Sequence, residues 1–450
     1  MYSMTPALRP RTLGLFVGDV LFFIFSLWLS LFLRTLTPPS WTLFWAHLVP
    51  FSILFVAWAL VYLIAGLYES RSILLARRAL SATLLVAQTI NMVITALFFV
   101  FVPLFGIAPK TLLLIYLPVS FVLVLFWRVV LFPLLGLQRT ESALLVGDGE
   151  ELEALRIAMN SAQHAPVRIV ESLPSHTPDL AHAVVDAMER HHASIIIADL
   201  DNAEVSAAFP QIYNLLTVGV RFFDALSVYE EAFGRIPLSR LDTVWLARYA
   251  STSSRTLYDV LKRTMDIVAG LLFGTISLVF YPFIIVAQKL YDGGPIFYRQ
   301  IRVGQYNRPL YMLKFRSMTG TDQGSEMLKT KHTVTPVGKV IRATRIDEVP
   351  QLWSILKGDM SLIGPRPEFP ALVEEYANVI PYYNLRHLVK PGLSGWAQLY
   401  HHADPHHAAD VAETRNKLSY DLYYLKHRSL LLDVTIALKT IRRILVRGNA

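Results

Sequence analysis

The sequence predicts three regions of different class: an α-helical four-span membrane bundle over residues 1–138, a Rossmann-like α/β domain over 139–250, and an α-rich domain over 251–450. Three observations predict this. Four apolar runs of membrane-crossing length fill the first third of the chain. Strand and helix patterns then alternate. After residue 250 a fifth apolar run, interrupted by Pro282, leads into a basic stretch rich in Gly, Pro and Arg.

The first four runs lie near residues 13–33, 44–67, 80–101 and 112–131. Each can cross a hydrocarbon core of about 30 Å as a helix. The 450 residues are 54% hydrophobic and only 17% charged. Arg9 and Arg11 precede the first run, as in a signal peptide, but no small-residue cleavage site follows. It therefore reads as a retained span. Asp19 lies inside it, about 9 Å along a helix from Arg11, its expected partner. Arg9, Arg11, Arg71, Arg77, Arg78 and Arg139 fall on one side of the bundle, Arg34 and Lys110 on the other. Positive charge favours the cytoplasm, so the N-terminus and everything after residue 135 are expected there. The chain has no Cys, which excludes disulfides, thiolate catalysis and Cys-bound zinc.

In the second region, residues 142–146, 167–171, 194–198 and 220–223 read as strands separated by helices, the pattern of a parallel sheet. Gly147-Asp148-Gly149 follows the first strand and could cradle a pyrophosphate. Leu152 stands where a third glycine belongs, and Glu150, Glu151 and Glu153 crowd the helix start. A structural turn is expected. His191-His192 reads as a helix C-terminus. His401-His402 and His406-His407 read as a surface loop rather than a metal site.

The third region is basic: from residue 290 it holds 22 Lys and Arg against 14 Asp and Glu. That balance suits anionic lipid headgroups and phosphorylated substrates. Nucleic acid is not expected, since the basic residues sit in none of its binding modules. The densest stretch is Arg342-Ala-Thr-Arg345-Ile-Asp347-Glu348-Val-Pro350-Gln351. Pro350 suits a first helical turn, Leu352, Ile355 and Leu356 form an apolar stripe, and Gly358 is a stop signal. Asp347 is thus expected near an N-cap, where backbone N–H groups favour negative charge.

Around that acid pair stand Gly294-Pro-Ile-Phe297-Tyr-Arg-Gln300-Ile-Arg302, Lys314-Phe-Arg316-Ser317-Met318, Gly364-Pro365-Arg366-Pro367-Glu368 and Pro391-Gly-Leu-Ser-Gly395-Trp396-Ala-Gln398. Any one is weak alone. In this order they resemble the bacterial sugar transferase family, the polyprenyl-phosphate glycosyl-1-phosphate transferases, over residues 257–450. The resemblance implies an α-rich monotopic catalytic domain whose fifth apolar segment, about 262–290, is re-entrant. Pro282 would break it and Ser277 would satisfy a freed backbone group. Many relatives place Ser directly before that Pro, and here Tyr281 stands there.

The resemblance implies transfer of a sugar-1-phosphate from a UDP-sugar to undecaprenyl phosphate, with release of UMP. Asp347 is then the expected covalent nucleophile, since carboxylates attack phosphorus competently. Glu348 is the expected Mg2+ ligand, with Asp347 a possible second. Lys314, Arg316 and Arg342 are candidates for phosphate contacts, and Arg366 for the nucleotide phosphates. Asp421 is a candidate to assist the metal or position substrate. A homodimer is a fair prior. The sugar is not identified. Trp396 could stack on uracil or anchor at the membrane, and the basic helix near residues 429–444 could lie on the membrane or pack on the core.

Two rival functions remain. A membrane-bound nucleotide-sugar dehydratase or epimerase would use a Tyr-x-x-x-Lys pair, and Tyr258 and Lys262 have that spacing. They lie far from the glycine turn, so coincidence is expected. A non-catalytic scaffold of polysaccharide assembly would not need the intact acid pair.

Overall fold

The computed structural model describes residues 10–65, 67–68, 77–101, 110–135, 140–161, 167–241, 243–250, 256–291, 293–319, 333–400 and 410–447. The chain divides into two compact units, Met1–Ala232 and Phe233–Ala450. The His401–His407 cluster lies outside the described residues.

The first unit opens with four helices, Pro10–Thr35, Trp41–Ile64, Arg77–Phe101 and Lys110–Phe126. All four, the fourth with the helical turns that carry it on to Leu134, are long and apolar enough to cross a membrane, which marks a membrane protein. Aromatic rings fill the space between them. Phe23, Phe51, Trp58, Tyr62 and Tyr116 are fully buried. Phe23 meets Trp58 edge-on at 5.3 Å, an arrangement that ring quadrupoles favour. The fourth helix widens into a π turn, Trp127–Leu131, that carries Arg128. Arg128 binds Asp19 through Nε and Nη2, and its Nη1 donates to the Leu67 carbonyl at 2.9 Å. The Tyr68 hydroxyl also donates to Asp19, at 2.8 Å. Asp19 is therefore satisfied by Arg128, 109 residues away; the side chain of Arg11, the partner expected from helical spacing, lies outside the described residues.

A four-stranded sheet follows: Glu141–Val146, Val167–Leu173, Ile195–Ala198 and Arg221–Asp224. All strands are parallel, in the order second, first, third, fourth. The expected parallel sheet is thus present, with helices in its crossovers. Its glycine turn is filled by the chain itself. A Cβ on Gly147 (φ 129°) would press on Asp199, and Asp148 accepts the Ser175 backbone N–H at 2.7 Å. Glu150, Glu151 and Glu153 occupy the next helical turn. His191 ends its helix, with His192 as a left-handed cap.

Residues 233–250 group with the second unit, not with the sheet. Ile236, Leu241 and Trp245 are buried in one core with Tyr383, Leu418, Leu422 and Ile436. The Gly234 carbonyl accepts from Trp396 Nε1 at 2.6 Å, and the Trp396 ring stacks on Tyr423. Trp396 is a core residue, so neither role considered for it from sequence applies. The last helix, Leu430–Arg447, packs inward too. Ile436 and Asp433 are fully buried, and the hydroxyls of Ser394 and Thr440 meet at 2.6 Å. Core packing is the alternative realised.

The fifth apolar segment forms two helices, Thr256–Leu278 and Tyr281–Tyr291, bent by 51°. The break falls at Val279 and Phe280. Pro282 is the second residue of the following helix, where a missing N–H costs nothing. It starts a helix and does not kink one from within. Ser277 Oγ donates to the Gly274 carbonyl at 2.6 Å, and the Ser277 carbonyl takes the Phe280 N–H at 2.9 Å. Phe273, Ile276, Phe280, Phe283 and Val286 are exposed, a surface that suits lipid.

The polar side of the first of these helices holds the rest of the unit. Arg263 donates to the Ile355 and Leu356 carbonyls, both at 2.6 Å, and so satisfies the end of helix Leu352–Lys357. Asp266 accepts from the Ser361 hydroxyl and the Leu362 N–H. Tyr258 and Lys262 both bind buried Asp433, each at 3.0 Å. The dehydratase-like pair is a structural clasp.

Candidate active site

The site is built on a hairpin, Phe297–Val303 and Pro309–Phe315. Side chains alternate along a strand, so Leu310, Met312 and Lys314 share one face and Phe315 the other. Leu310 and Met312 pack against Leu352, Ile355 and Met360. Phe315 packs against Ile284 and Ile341. These two clusters fasten the hairpin to the segment that carries the acid pair. They leave Lys314, at the end of the first face, beside Glu348.

Asp347 and Glu348 lie in a 3-10 turn, Ile346–Gln351, that continues into helix Leu352–Lys357. Arg345 precedes it in a left-handed conformation, φ 59°. Such a conformation costs about 1–2 kcal/mol outside glycine and recurs at functional sites. The expected N-cap is corrected here. Arg345 holds the N-cap position of the 3-10 turn, and Asp347 makes no side-chain capping bond. A carboxylate that capped would be occupied. Asp347 Oδ1 is instead buried without a hydrogen-bond partner.

Glu348 collects cations. Its Oε1 lies 3.3 Å from Arg366, 3.6 Å from Lys314 and 3.9 Å from Arg345. Its side chain is 12% exposed. Burial alone would raise its pKa, but Arg366, Lys314 and Arg345 outweigh burial and hold it below the usual value. Asp347 moves the opposite way. Burial raises its pKa, the neighbouring Glu348 charge adds to that, and Lys314, Arg342 and Arg345 only partly oppose it. The two adjacent carboxylates are thereby split, Glu348 fixed as a charge and Asp347 more basic. Lys314 is pushed down by burial, with Glu348 opposing. All three Glu348 contacts are to Oε1, and Asp347 Oδ1 has no protein partner. These two acids therefore fit a hard cation that takes one or two carboxylates. Among the described residues no three His, Cys, Asp or Glu cluster as a metal site.

Other residues singled out in the sequence take different places. Arg342 is exposed, with Nη1 3.0 Å from Met318 Sδ. The Arg316 guanidinium packs over Gly294, where any Cβ would collide with it. Gly364 and Gly392 let two motif loops touch backbone to backbone: the Gly392 N–H donates to the Pro365 carbonyl at 2.9 Å. Asp421 is the main departure. It is fully buried and its Oδ2 is taken by Arg386, at 2.9 Å from Nε and 2.7 Å from Nη2. Thus it does not join the acid pair as a metal ligand. Arg386 and Lys417 belong to none of the motifs above, yet they form one buried charge group with Glu368 and Asp421, to which half-buried Arg302 adds its charge. The only signal for Arg386 is its place five residues before Pro391.

Residues 257–447 match the model of the bacterial sugar transferase family. Among relatives, the chain is 38% identical over 280 residues to the UDP-N-acetylgalactosamine-undecaprenyl-phosphate N-acetylgalactosaminephosphotransferase of Aeromonas hydrophila, covering 61% of this chain and 62% of that protein. It is 35% identical to an uncharacterized sugar transferase, EpsL, of Bacillus subtilis strain 168, covering 42% of this chain and 88% of that one. A UDP-glucose:undecaprenyl-phosphate glucose-1-phosphate transferase of Caulobacter vibrioides is also 35% identical, over 44% and 74% of the two chains. The chain belongs to the bacterial sugar transferase family. The chain spans less than two thirds of the Aeromonas relative's length, and more than two thirds of the Bacillus and Caulobacter relatives.

In this family member the buried charge group and His387 beside it should make stability depend on pH. Glu368 would be raised by burial, but Lys417 and Arg386 bring it down to about 2. Burial, with Arg386 adding to it, brings His387 down from 6.5 to about 3, so it is neutral in the folded state. A depressed histidine costs stability as pH falls, because the unfolded chain takes the proton first. The His387 penalty should grow from pH 6.5 to about 3. The Glu368 contribution is complete above its unfolded value of 4.5 and is lost toward about 2. Thermal melting across this range should show a shallower acid slope for His387→Gln than for the parent. An unchanged slope would mean that His387 does not govern it.

Proposed function

We propose that the chain transfers a sugar-1-phosphate from a UDP-sugar to undecaprenyl phosphate, giving undecaprenyl-diphosphate-sugar and UMP. The product would start exopolysaccharide, capsule or O-antigen assembly. The names of its relatives support donor and acceptor. The observation that carries the chemistry is the buried, unpartnered Asp347 Oδ1 beside a Glu348 ringed by Arg366, Lys314 and Arg345.

Both substrates are anionic, so the reaction needs neutralised charge and in-line alignment. Asp347 Oδ1 attacks the β-phosphorus, and an acyl-phosphate bond forms as the bond to the bridging oxygen breaks and UMP leaves. An oxygen of the lipid phosphate then attacks that phosphorus and releases the Asp347 carboxylate. Lys314 and Arg366 offset the phosphate charge, with Arg342 and Arg316 as outer contacts. Mg2+, when bound by Glu348 with Asp347 as a second ligand, supplies further charge neutralisation. A panel of UDP-sugars with undecaprenyl phosphate should identify one donor by UMP release. Chelation of divalent cations should abolish that release, and Glu348→Gln should raise the Mg2+ concentration needed. No UMP from any donor would remove the proposal.

We further propose that the parallel sheet is a degenerate Rossmann-like domain whose glycine turn is structural, and that the chain pairs as a homodimer. The chain resides in the bacterial inner membrane, with its catalytic unit in the cytoplasm where nucleotide sugars are. This requires the bent helix pair to enter and leave by one face. The chain has no Cys, so single cysteines report without background. Arg308→Cys and Glu189→Cys should be shielded from an impermeant thiol reagent in intact cells, while Thr37→Cys labels. Labelling of position 308 in intact cells would show a fifth crossing.

A further inference from the structure

Arg366 reaches Glu348 from a loop whose backbone is gripped at three consecutive carbonyls. The Arg366 carbonyl accepts from Arg386 Nη2 at 3.0 Å. The Pro367 carbonyl accepts from Arg302 Nη1 at 3.3 Å. The Glu368 carbonyl accepts from the Val303 N–H at 2.9 Å. The last two grips come from the hairpin that also carries Lys314. The first comes from a different element, the 3-10 segment Tyr383–Leu388.

Arg386 is itself over-determined. It is 2% exposed. Its Nε and Nη2 bind Asp421, its Nη1 donates to the Tyr383 hydroxyl oxygen at 2.9 Å, and Nη1 lies 3.7 Å from Glu368. A planar guanidinium held at three corners has one orientation, and its remaining N–H is aimed at one carbonyl. A buried guanidinium needs a partner for each of its donors, and the choice of partner decides what it holds in place. Here one donor is spent on the backbone of the residue that contacts Glu348.

We propose that Arg386 is a positioning residue for Arg366, and that Asp421 acts by orienting Arg386 rather than by binding metal. The chain of contact runs Asp421, Arg386, Arg366 backbone, Arg366 guanidinium, Glu348. This rests on the function proposed above, in which Arg366 binds the donor diphosphate. Arg386→Lys keeps the charge opposite Asp421 but cannot also reach the Arg366 carbonyl. Asp421→Asn keeps size and one acceptor but loosens the guanidinium.

The test is a double-mutant cycle on the full chain in detergent, read as donor KM, kcat and Mg2+ dependence of UMP release, with melting temperature alongside. Either single variant should raise donor KM about 10- to 100-fold, the scale of a small misplacement, with acceptor KM and Mg2+ dependence unchanged. Combined with Arg366→Ala, neither should weaken donor binding further, because the residue it positions is gone. Additive losses, or a shifted Mg2+ dependence in Asp421→Asn, would overturn the proposal. If Arg386→Lys does not fold, Asp421→Asn carries the same comparison. Absence of UMP release in the parent would instead overturn the function itself.

Discussion

Asp347→Asn should abolish UMP release, by about 10^4-fold or more, the scale seen when a covalent nucleophile is removed. The amide matches the carboxylate in size, so the 3-10 turn Ile346–Gln351 and its packing on Leu310 and Met312 remain. Asp347 makes no capping bond, so its loss carries no helix penalty. Melting temperature should hold or rise slightly, because a buried charge beside Glu348 is relieved. Intact-mass measurement with donor alone should show a phosphosugar adduct on the parent and none on the variant. Turnover near the parent rate would remove Asp347 from the mechanism.

The second large effect concerns where the catalytic unit begins. The motifs all follow residue 257, and by motif alone a fragment from 255 would suffice. The structure assigns residues 233–250 to the same core. A fragment from 255 loses Ile236, Leu241 and Trp245 from that core, and the Gly234 carbonyl that Trp396 uses. At about 1.5–3 kcal/mol for each large buried side chain, the loss approaches the whole stability of a domain. The fragment 233–450 should fold in detergent and release UMP, and the fragment 255–450 should aggregate or melt far lower. Equal stability of the two would show that residues 233–250 are an appendage.

How much of this was legible in the sequence follows from which interactions are local. The four membrane helices and the strands of the parallel sheet rest on runs of apolar residues, and their positions were readable within a few residues. The acid pair and Lys314 stood out through motif order, and the structure brings them together with Arg366. What was not legible depends on distant partners. Asp19 finds Arg128 across the bundle, and no helical spacing encodes that. From sequence Asp421 reads as a site acid, whereas in the fold Arg386 occupies it. For Trp396 the sequence leaves uracil stacking and membrane anchoring both open, because the Gly234 carbonyl to which it donates lies 162 positions upstream. Nothing in the sequence sets Arg345 apart from its basic neighbours, yet its left-handed backbone leads the chain into the acid-bearing segment.

The most direct test of the central claim follows the phosphorus. With donor labelled by 32P in its β-phosphate, attack at that phosphorus carries the label into the lipid and leaves unlabelled UMP as the nucleotide product. Label should appear in the organic phase in step with UMP, and both should be lost in Asp347→Asn. Labelled UDP in the aqueous phase would mean that the bond to the sugar carbon breaks instead, and would contradict that claim.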